Sequence, residues 1–571
     1  MPPKARNLSS IREAIFGNKL TENKLTENKL IENKLTENKL TENKLTEMAP
    51  SPIKVPILVD WLSYYPNIPQ RNILLEGFLH GFRLGYSGIR VARESNCLPT
   101  ALRNPSATWI KLNKEISLGR IVGPFSSRPL PRLQCSPIGI IEKKQPGEFR
   151  LITHLSFPAG SSINDGIPFE MSNVKYTSFD CAVIMVQKQG KGALMAKCDI
   201  KSAFRLLPIH PEDFELLGFK FQNLYFVDRC LPMGASSSCY LFECFSSFLE
   251  FQLMKISGSL GIVHYLDDFL LCAPAGTRQC VDLLCQFQAM CDELGVPLAP
   301  EKTVGPVQSL TYLGLEIDSV SQSVKVPLDK LKALVDLLDT ALSVQSMTLR
   351  SIQSLIGSLN FVCRAIAPGR AFLRRLIDLT VNETHANARI RIGRGAREDI
   401  KMWIAFLRRF NGTSMFLDEQ WLSNSTLELF TDASGSIGFG AYFQGRWANG
   451  LWPQWVANAS HSIAFLELFP VVVAMDLWGH HWRNMKIKLW SDNKAVVCIL
   501  NKQTSPCPDI MQLVRKLVLL ALSNNILFKG YYVEGVLNGI SDALSRFQDQ
   551  RFRELAPDAD LTPTPLPQWA C

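Results

Sequence analysis

The chain of 571 residues is 46% hydrophobic and 20% charged, a balance that excludes a fibrous or wholly disordered protein and leaves room for two to four domains. A formal net charge of +9 favours anionic partners such as nucleic acid, though at this length charge does not decide the matter. Fifteen cysteines, with no CxxC pair and no Cys/His cluster at zinc spacing, predict reduced thiols in an intracellular protein, cytoplasmic or nuclear, and no signal peptide is expected.

Residues 18–47 are six tandem copies of Asn-Lys-Leu-Thr-Glu, with Ile31 in place of one threonine. A five-residue period turns about 500° around an α-helix, so successive leucines spiral by about 140° and build no apolar stripe. A disordered tail, or at most a marginal helix in the repeat, is predicted over residues 1–47. Residues 48–119 bring Trp, Tyr, Leu and Phe among Pro and Gly, and 73–79 and 110–118 read as short helices of an N-terminal extension. From Ser136 to Ser156 the pattern is strand, Pro-Gly turn, strand, with Lys143 and Lys144 before the turn and Arg150 after it. Cations so placed suit a polyphosphate, and equally an ordinary basic hairpin.

Ala193 to Ile200 is an apolar run that puts Asp199 at the C-terminal end of a buried strand, with Phe204 five residues on. Leu231 to Ser238, including Met233 and Gly234, is a turn of small residues leading into a helix over 239–254, where a base or phosphate can approach closely. His264-Tyr265-Leu266-Asp267-Asp268-Phe269-Leu270 then sets adjacent aspartates between apolar strands, at the tip of a buried hairpin. Two such carboxylates are costly to bury unpaired, and no Lys or Arg lies within eight residues on either side. A divalent cation held by oxygen ligands is the expected partner; a surface Asp-Asp turn is the bland alternative.

Amphipathic helices are predicted over 328–342 and 349–365. Arg364, Arg370, Arg374, Arg375, Arg389, Arg391, Arg394 and Arg397 make this region basic, for phosphate contact or as a solvated face. A second set of acids follows. Leu427 to Ser434 is a strand ending on Asp432, and 438–443 and 446–452 complete a meander. Glu467 sits mid-helix, and the apolar stretch from Ser462 to Trp478 carries Glu467, Pro470 and Asp476, which argues against a membrane span. Residues 487–493 form a strand ending on Asp492, and 538–546 start a helix bearing Asp542. Residues 548–571, with four prolines from Pro557 to Pro567, are predicted to be a disordered tail.

The basic hairpin, Lys-Cys-Asp-Ile-Lys-Ser-Ala-Phe (197–204), Leu-Pro-Met-Gly-Ala-Ser-Ser-Ser (231–238), Tyr-Leu-Asp-Asp (265–268), Glu301-Lys302-Thr303 and Tyr312-Leu313-Gly314 occur in one order. That order resembles the polymerase domain of reverse transcriptases. The resemblance implies a right-hand polymerase, with fingers and palm over 120–318 and thumb and connection helices over 319–425. It implies that Asp199 and Asp267 ligate metal, with Asp268 in support. Two Mg2+ (or Mn2+) ions roughly 3.5–4 Å apart would clamp the attacking 3′-oxygen and the leaving pyrophosphate. It makes Phe204 a steric gate against a ribose 2′-hydroxyl and gives Lys143 and Arg150 the incoming triphosphate. Lys302 falls near the pyrophosphate. Met233, beside Gly234, stands where some members have Gln, which puts a hydrogen bond there in doubt but not the fold.

Thr-Asp-Ala-Ser (431–434), Glu467, Ser-Asp-Asn (491–493) and Asp-Ala-Leu-Ser-Arg (542–546) resemble ribonuclease H. This implies a mixed-sheet domain over 426–547 in which Asp432, Glu467, Asp492 and Asp542 hold two ions that activate water against an RNA phosphodiester. Tyr531-Tyr532-Val533-Glu534-Gly535 stands where many members have a histidine. The stretches 150–156, 161–167, 206–211, 355–361 and 368–375 look like DIRS-type retroelements, which integrate with a tyrosine recombinase. No convincing recombinase signature and no Asp-Ser/Thr-Gly protease motif is found, and the resemblance covers about residues 50–547. The reading is therefore an α+β and α/β multidomain polymerase followed by a ribonuclease H-like domain. Its partners would be an RNA template, a DNA primer, the RNA–DNA hybrid and deoxynucleoside triphosphates, with an element-encoded recombinase as a further one and no membrane. A nuclease whose polymerase half only binds, or an inactive nucleic-acid-binding copy, fits the same residues.

Overall fold

The computed structural model describes residues 45–143, 147–410, 413–416 and 420–571. The repeat segment up to residue 44, predicted to be disordered, and the turn residues 144–146 lie outside them. The chain divides into two compact units. One comprises the described residues up to Thr177 with Lys197–Leu271 and Val281–Thr303; the other comprises Ser178–Ala196, Cys272–Cys280 and Val304–Cys571.

In the first unit the helices Val55–Leu62, Ile68–His80, Pro99–Arg103 and Pro105–Ser117 each carry a proline at the first or second helical position. Its missing N–H costs nothing there and its fixed φ suits the turn. Trp109 packs edge-on against Phe221 and Phe226, in a core that also holds Ala101, Leu112, Ile121, Ile138 and Phe219. Around that core stand the sheet Ile121–Phe125, Leu224–Asp228, Gly218–Phe221 and the hairpin Ile138–Glu142, Phe149–Thr153. The helix Ser238–Ser257 is buried over most of its length. Its Phe245 and Phe248 meet Phe78 and Tyr65 at ring distances of 5.3 and 5.5 Å. The N-terminal extension thus shares one core with the residues that follow. Arg205 ties strand to helix by bonding Asp228 at 2.8 Å and Glu115 at 3.0 Å.

In the second unit an antiparallel sheet runs Ser309–Tyr312, Leu315–Asp318, Ser323–Lys325, Thr413–Met415. The helices Leu328–Ser343 and Leu349–Val362 bury Leu331, Leu334, Leu338 and Ile352, Leu355, Leu359 at the three- and four-residue spacing of one apolar stripe. The arginine run is in part structural rather than phosphate-facing or solvated. Arg375 and Arg515 share the buried Asp399, at 3.1 and 2.9 Å. Arg397 donates to the backbone carbonyls of Leu342 and Val344.

Further on, Leu429–Ala433, Gly438–Phe443 and Arg446–Leu451 form an antiparallel meander, while Trp421–Leu422, Lys486–Ser491 and Leu527–Tyr532 pair in parallel. A parallel pair requires a crossover, supplied here by the helices Lys494–Lys502 and Pro508–Ser523. The stretch Ile463–Trp482 is long and apolar enough to cross a membrane, yet most of it is buried inside the protein, as a core helix is.

The predicted disorder of residues 548–571 is overturned. Asp549–Leu555 is a helix, and Phe552, Ala556 and Ala559 bury against Trp447, Ala543 and Leu544. The Trp447 indole donates to the Asp560 carbonyl at 2.7 Å. Trp569 packs on Phe469, with ring centroids 5.1 Å apart, and its indole donates to Asp476 at 2.7 Å. Prolines remove donors and fix φ, but they leave an extended strap free to bury the apolar residues between them.

Candidate active sites

The strand Leu194–Asp199 delivers Asp199 at its buried end. Beside it the hairpin Ile262–Tyr265, Asp268–Ala273 pairs Tyr265 with Asp268, which leaves Leu266 and Asp267 as the turn. Leu266 accordingly takes a left-handed φ of 52°. Phe269, Leu270 and Leu271 are wholly buried, so the tip is anchored from below. The Ile200 N–H donates to the Asp267 carbonyl at 3.0 Å and locks the end of the strand to the tip. Burial, and then the neighbouring charge of Asp199, pushes the Asp267 carboxyl up to about 6. Burial raises Asp268 as well. Carboxyls that resist ionisation in this way are relieved by a cation.

Positive charge does reach the tip, contrary to the expectation drawn from neighbouring sequence. Lys302 Nζ donates to both oxygens of Asp199, at 2.8 and 2.9 Å, across 103 positions of chain. Lys197 Nζ stands 4.0 Å from Asp268. On the first strand of the hairpin, the buried His264 sits between Glu243 at 3.1 Å and Glu250. Burial works to lower its pKa, but the two carboxylates outweigh it and bring it to about 9. Local sequence gave no sign of this trio.

Phe204 meets Phe242 edge-on, with ring centroids 5.4 Å apart. At Gly234 a Cβ would collide with the Thr153 carbonyl, so only glycine fits. Asn164 clamps that turn, donating to the Gly234 carbonyl and accepting from the Ser236 N–H, both at 2.9 Å. Asn164 falls within the stretch 161–167, where no local signal marks it as a clamp. Met233 is half exposed. Lys143 pairs with Glu148 at 2.8 Å, and Arg150 is exposed on the opposite strand of that hairpin.

In the second unit Asp432 lies one residue before the end of the strand Leu429–Ala433, Asp492 follows Lys486–Ser491, and Glu467 projects from the helix Ile463–Trp478. Among the described residues these are the three whose carboxylate oxygens all lie within 4.8 Å of one another. Burial, then the charges of Asp432 and Asp492, pushes Glu467 up to about 8. Burial also raises Asp432, against a 2.7 Å hydrogen bond from Ser545 Oγ. An all-carboxylate set with ionisation suppressed fits a hard divalent cation.

Asp542 departs from the expected set of four. Arg546 and Arg551 hold its two oxygens at 2.7 and 2.8 Å. Burial works to raise its pKa, but these bonds prevail and lower it. Three acids converge, and the fourth is neutralised by arginines. Asp199, Asp267 and Asp268 adjoin, but they do not form a group as tight as the three in the second unit.

Residues 141–317 match the family model for reverse transcriptase (RNA-dependent DNA polymerase). The chain is similar to the Gag-Pro-Pol polyprotein of Mason-Pfizer monkey virus, 25% identical over 210 residues, covering 35% of this chain and 11% of the polyprotein. It is also similar to Protein P of duck hepatitis B virus (strain China), 28% identical over 165 residues, covering 29% of this chain and 20% of Protein P. The matches thus span at most about a fifth of these curated relatives. Among solved structures, the foamy viral protease-reverse transcriptase dRH in complex with double-stranded DNA aligns with a TM-score of 0.47 at 15% identity, covering 86% of this chain and 82% of that one. The stretch 141–317 is therefore similar to a reverse transcriptase domain, and the mixed α/β content of the chain agrees with that match.

Proposed function

We propose that the chain is a retroelement RNA-directed DNA polymerase that also degrades the RNA strand of the hybrid. The observation that carries the reading is the pair of separate carboxylate sets, each with burial and like charge suppressing ionisation of a member. Asp199, Asp267 and Asp268 would hold divalent ions, Mg2+ or Mn2+, in the first set; Asp432, Glu467 and Asp492 would hold them in the second. When bound, such ions neutralise charge on the attacking and leaving oxygens of an in-line displacement.

The chain's own residues supply the rest. Lys143 and Arg150 grip the incoming deoxynucleoside triphosphate, and the Phe204 ring blocks a 2′-hydroxyl. Asn164 fixes the turn on which the base rests. Lys302, close to Asp199, is placed to meet the departing pyrophosphate. Ser545 orients Asp432, and Arg546 and Arg551 leave a cationic edge beside the nuclease acids. The partners are an RNA template, a DNA primer and their hybrid. The stretches 150–156, 161–167, 206–211, 355–361 and 368–375 support an element of the DIRS type acting inside the cell alongside a separately encoded recombinase.

Asp267→Asn should abolish primer extension on a primed RNA template and leave hybrid cleavage intact, and Asp492→Asn should do the reverse. Loss of both activities in each single variant would refute two independent sites.

A further inference from the structure

The two faces of the parallel sheet Trp421–Leu422, Lys486–Ser491, Leu527–Tyr532 are built differently. Ile487, Leu489, Ser491, Phe528 and Gly530 are buried, so alternation puts Lys486, Lys488, Trp490, Lys529 and Tyr531 on the other face, half-buried or exposed. The register sets Lys488 opposite Lys529 and Trp490 opposite Tyr531, and Trp421 lies across from Lys486. Rings and ammonium groups interleave. Lys529 Nζ is 4.7 Å from the Trp421 ring, Lys488 Nζ is 5.2 Å from Tyr531, and the Trp490 and Tyr531 ring centroids are 5.3 Å apart. Like charges directly opposite on a sheet destabilise it, and an anionic ligand removes that cost.

We propose that this face docks a single-stranded segment of nucleic acid, with bases laid on Trp421 and Tyr531 and phosphates against Lys486, Lys488 and Lys529. The row of ammonium groups complements a polyanion. The rings favour unpaired bases, because bases stacked within a duplex offer no free π-face. The strand Lys486–Ser491 leads directly to Asp492, so a segment held here points toward the three-acid group. The proposal concerns binding alone and stands whether or not that group cleaves.

The test uses the full chain in EDTA, with labelled oligo(dU) and oligo(rU) followed by fluorescence anisotropy and excess unlabelled RNA–DNA hybrid added to occupy duplex sites. Lys488→Ala/Lys529→Ala should weaken single-strand binding about ten-fold and flatten the slope of log Kd against log salt by about 1.4, the value for two lost phosphate contacts. Tyr531→Ala should lose a similar amount and Tyr531→Phe should retain affinity, since stacking needs only the ring. Hybrid affinity and melting temperature should not change. A loss confined to dU or to rU would support the proposal and name the strand. Wild-type binding by the double variant, complete competition by the hybrid, or an effect only on self-association in sedimentation would overturn it.

Discussion

Replacing Glu467 by Gln tests the carboxylate group of the second unit without any assumption about its substrate. Burial and the charges of Asp432 and Asp492 move Glu467 from 4.5 to about 8. At 1.36 kcal/mol per pH unit, the upper figure for ionising it is about 5 kcal/mol. Residual solvent contact and proton sharing with Asp432 reduce this to about 2–3 kcal/mol. The unfolded side chain loses its proton near 4.5 and the folded one near 8. Between those values the folded state binds more protons, so stability falls as pH rises and the full cost is present above about 8. Glu467→Gln removes the titration and keeps the volume. In EDTA the variant should therefore melt with wild type at about pH 5 and above it by about 5–10 °C at about pH 9, at roughly 2–4 °C per kcal/mol. Mg2+ should reverse the order, because wild type gains a ligand-dependent increment that the variant loses. Calorimetry of the second unit's transition, across pH and with and without the ion, measures all three. A difference that does not vary with pH, or a variant no more stable than wild type at high pH in EDTA, would refute the electrostatic account.

The other predictions concern the supports of the two sites. Asn164→Ala removes both side-chain bonds to the turn around Gly234, at about 1–3 kcal/mol. It should raise KM for the nucleotide in primer extension and leave primer-template affinity unchanged. Trp569→Ala removes the ring on Phe469 and the bond to Asp476, at about 3–5 kcal/mol. It should lower the melting temperature of the second unit and shorten the half-life of hybrid cleavage on heating, with polymerisation unaffected.

The acids were legible because each sits where an apolar run stops: Asp199, Asp432 and Asp492 all lie at, next to or just past the ends of strands rich in buried residues. Gly234 was legible as a turn residue, though its collision with Thr153 needs a contact made 81 positions away. What escaped is non-local charge. A window of eight residues around Asp267 holds no Lys or Arg, yet Lys302 and Lys197 converge there in space. Asp542 reads as a ligand in its motif, but Arg551 arrives from the following helix to complete a clamp begun by Arg546. The C-terminal segment was misjudged for the same reason. Its prolines are visible in the string of residues, whereas the surfaces that receive it, Trp447 and Phe469, are assembled only by the fold.

Lys302 closes over both oxygens of Asp199, so an ion arriving at that carboxylate trades places with an ammonium rather than meeting a bare anion. Uptake is then an exchange, and its free energy is the difference between two charged contacts. Acylating that one amine would tighten the metal's hold on the aspartate while taking away a cation for the outgoing phosphates. Affinity for the ion and speed of turnover would part company at a single side chain.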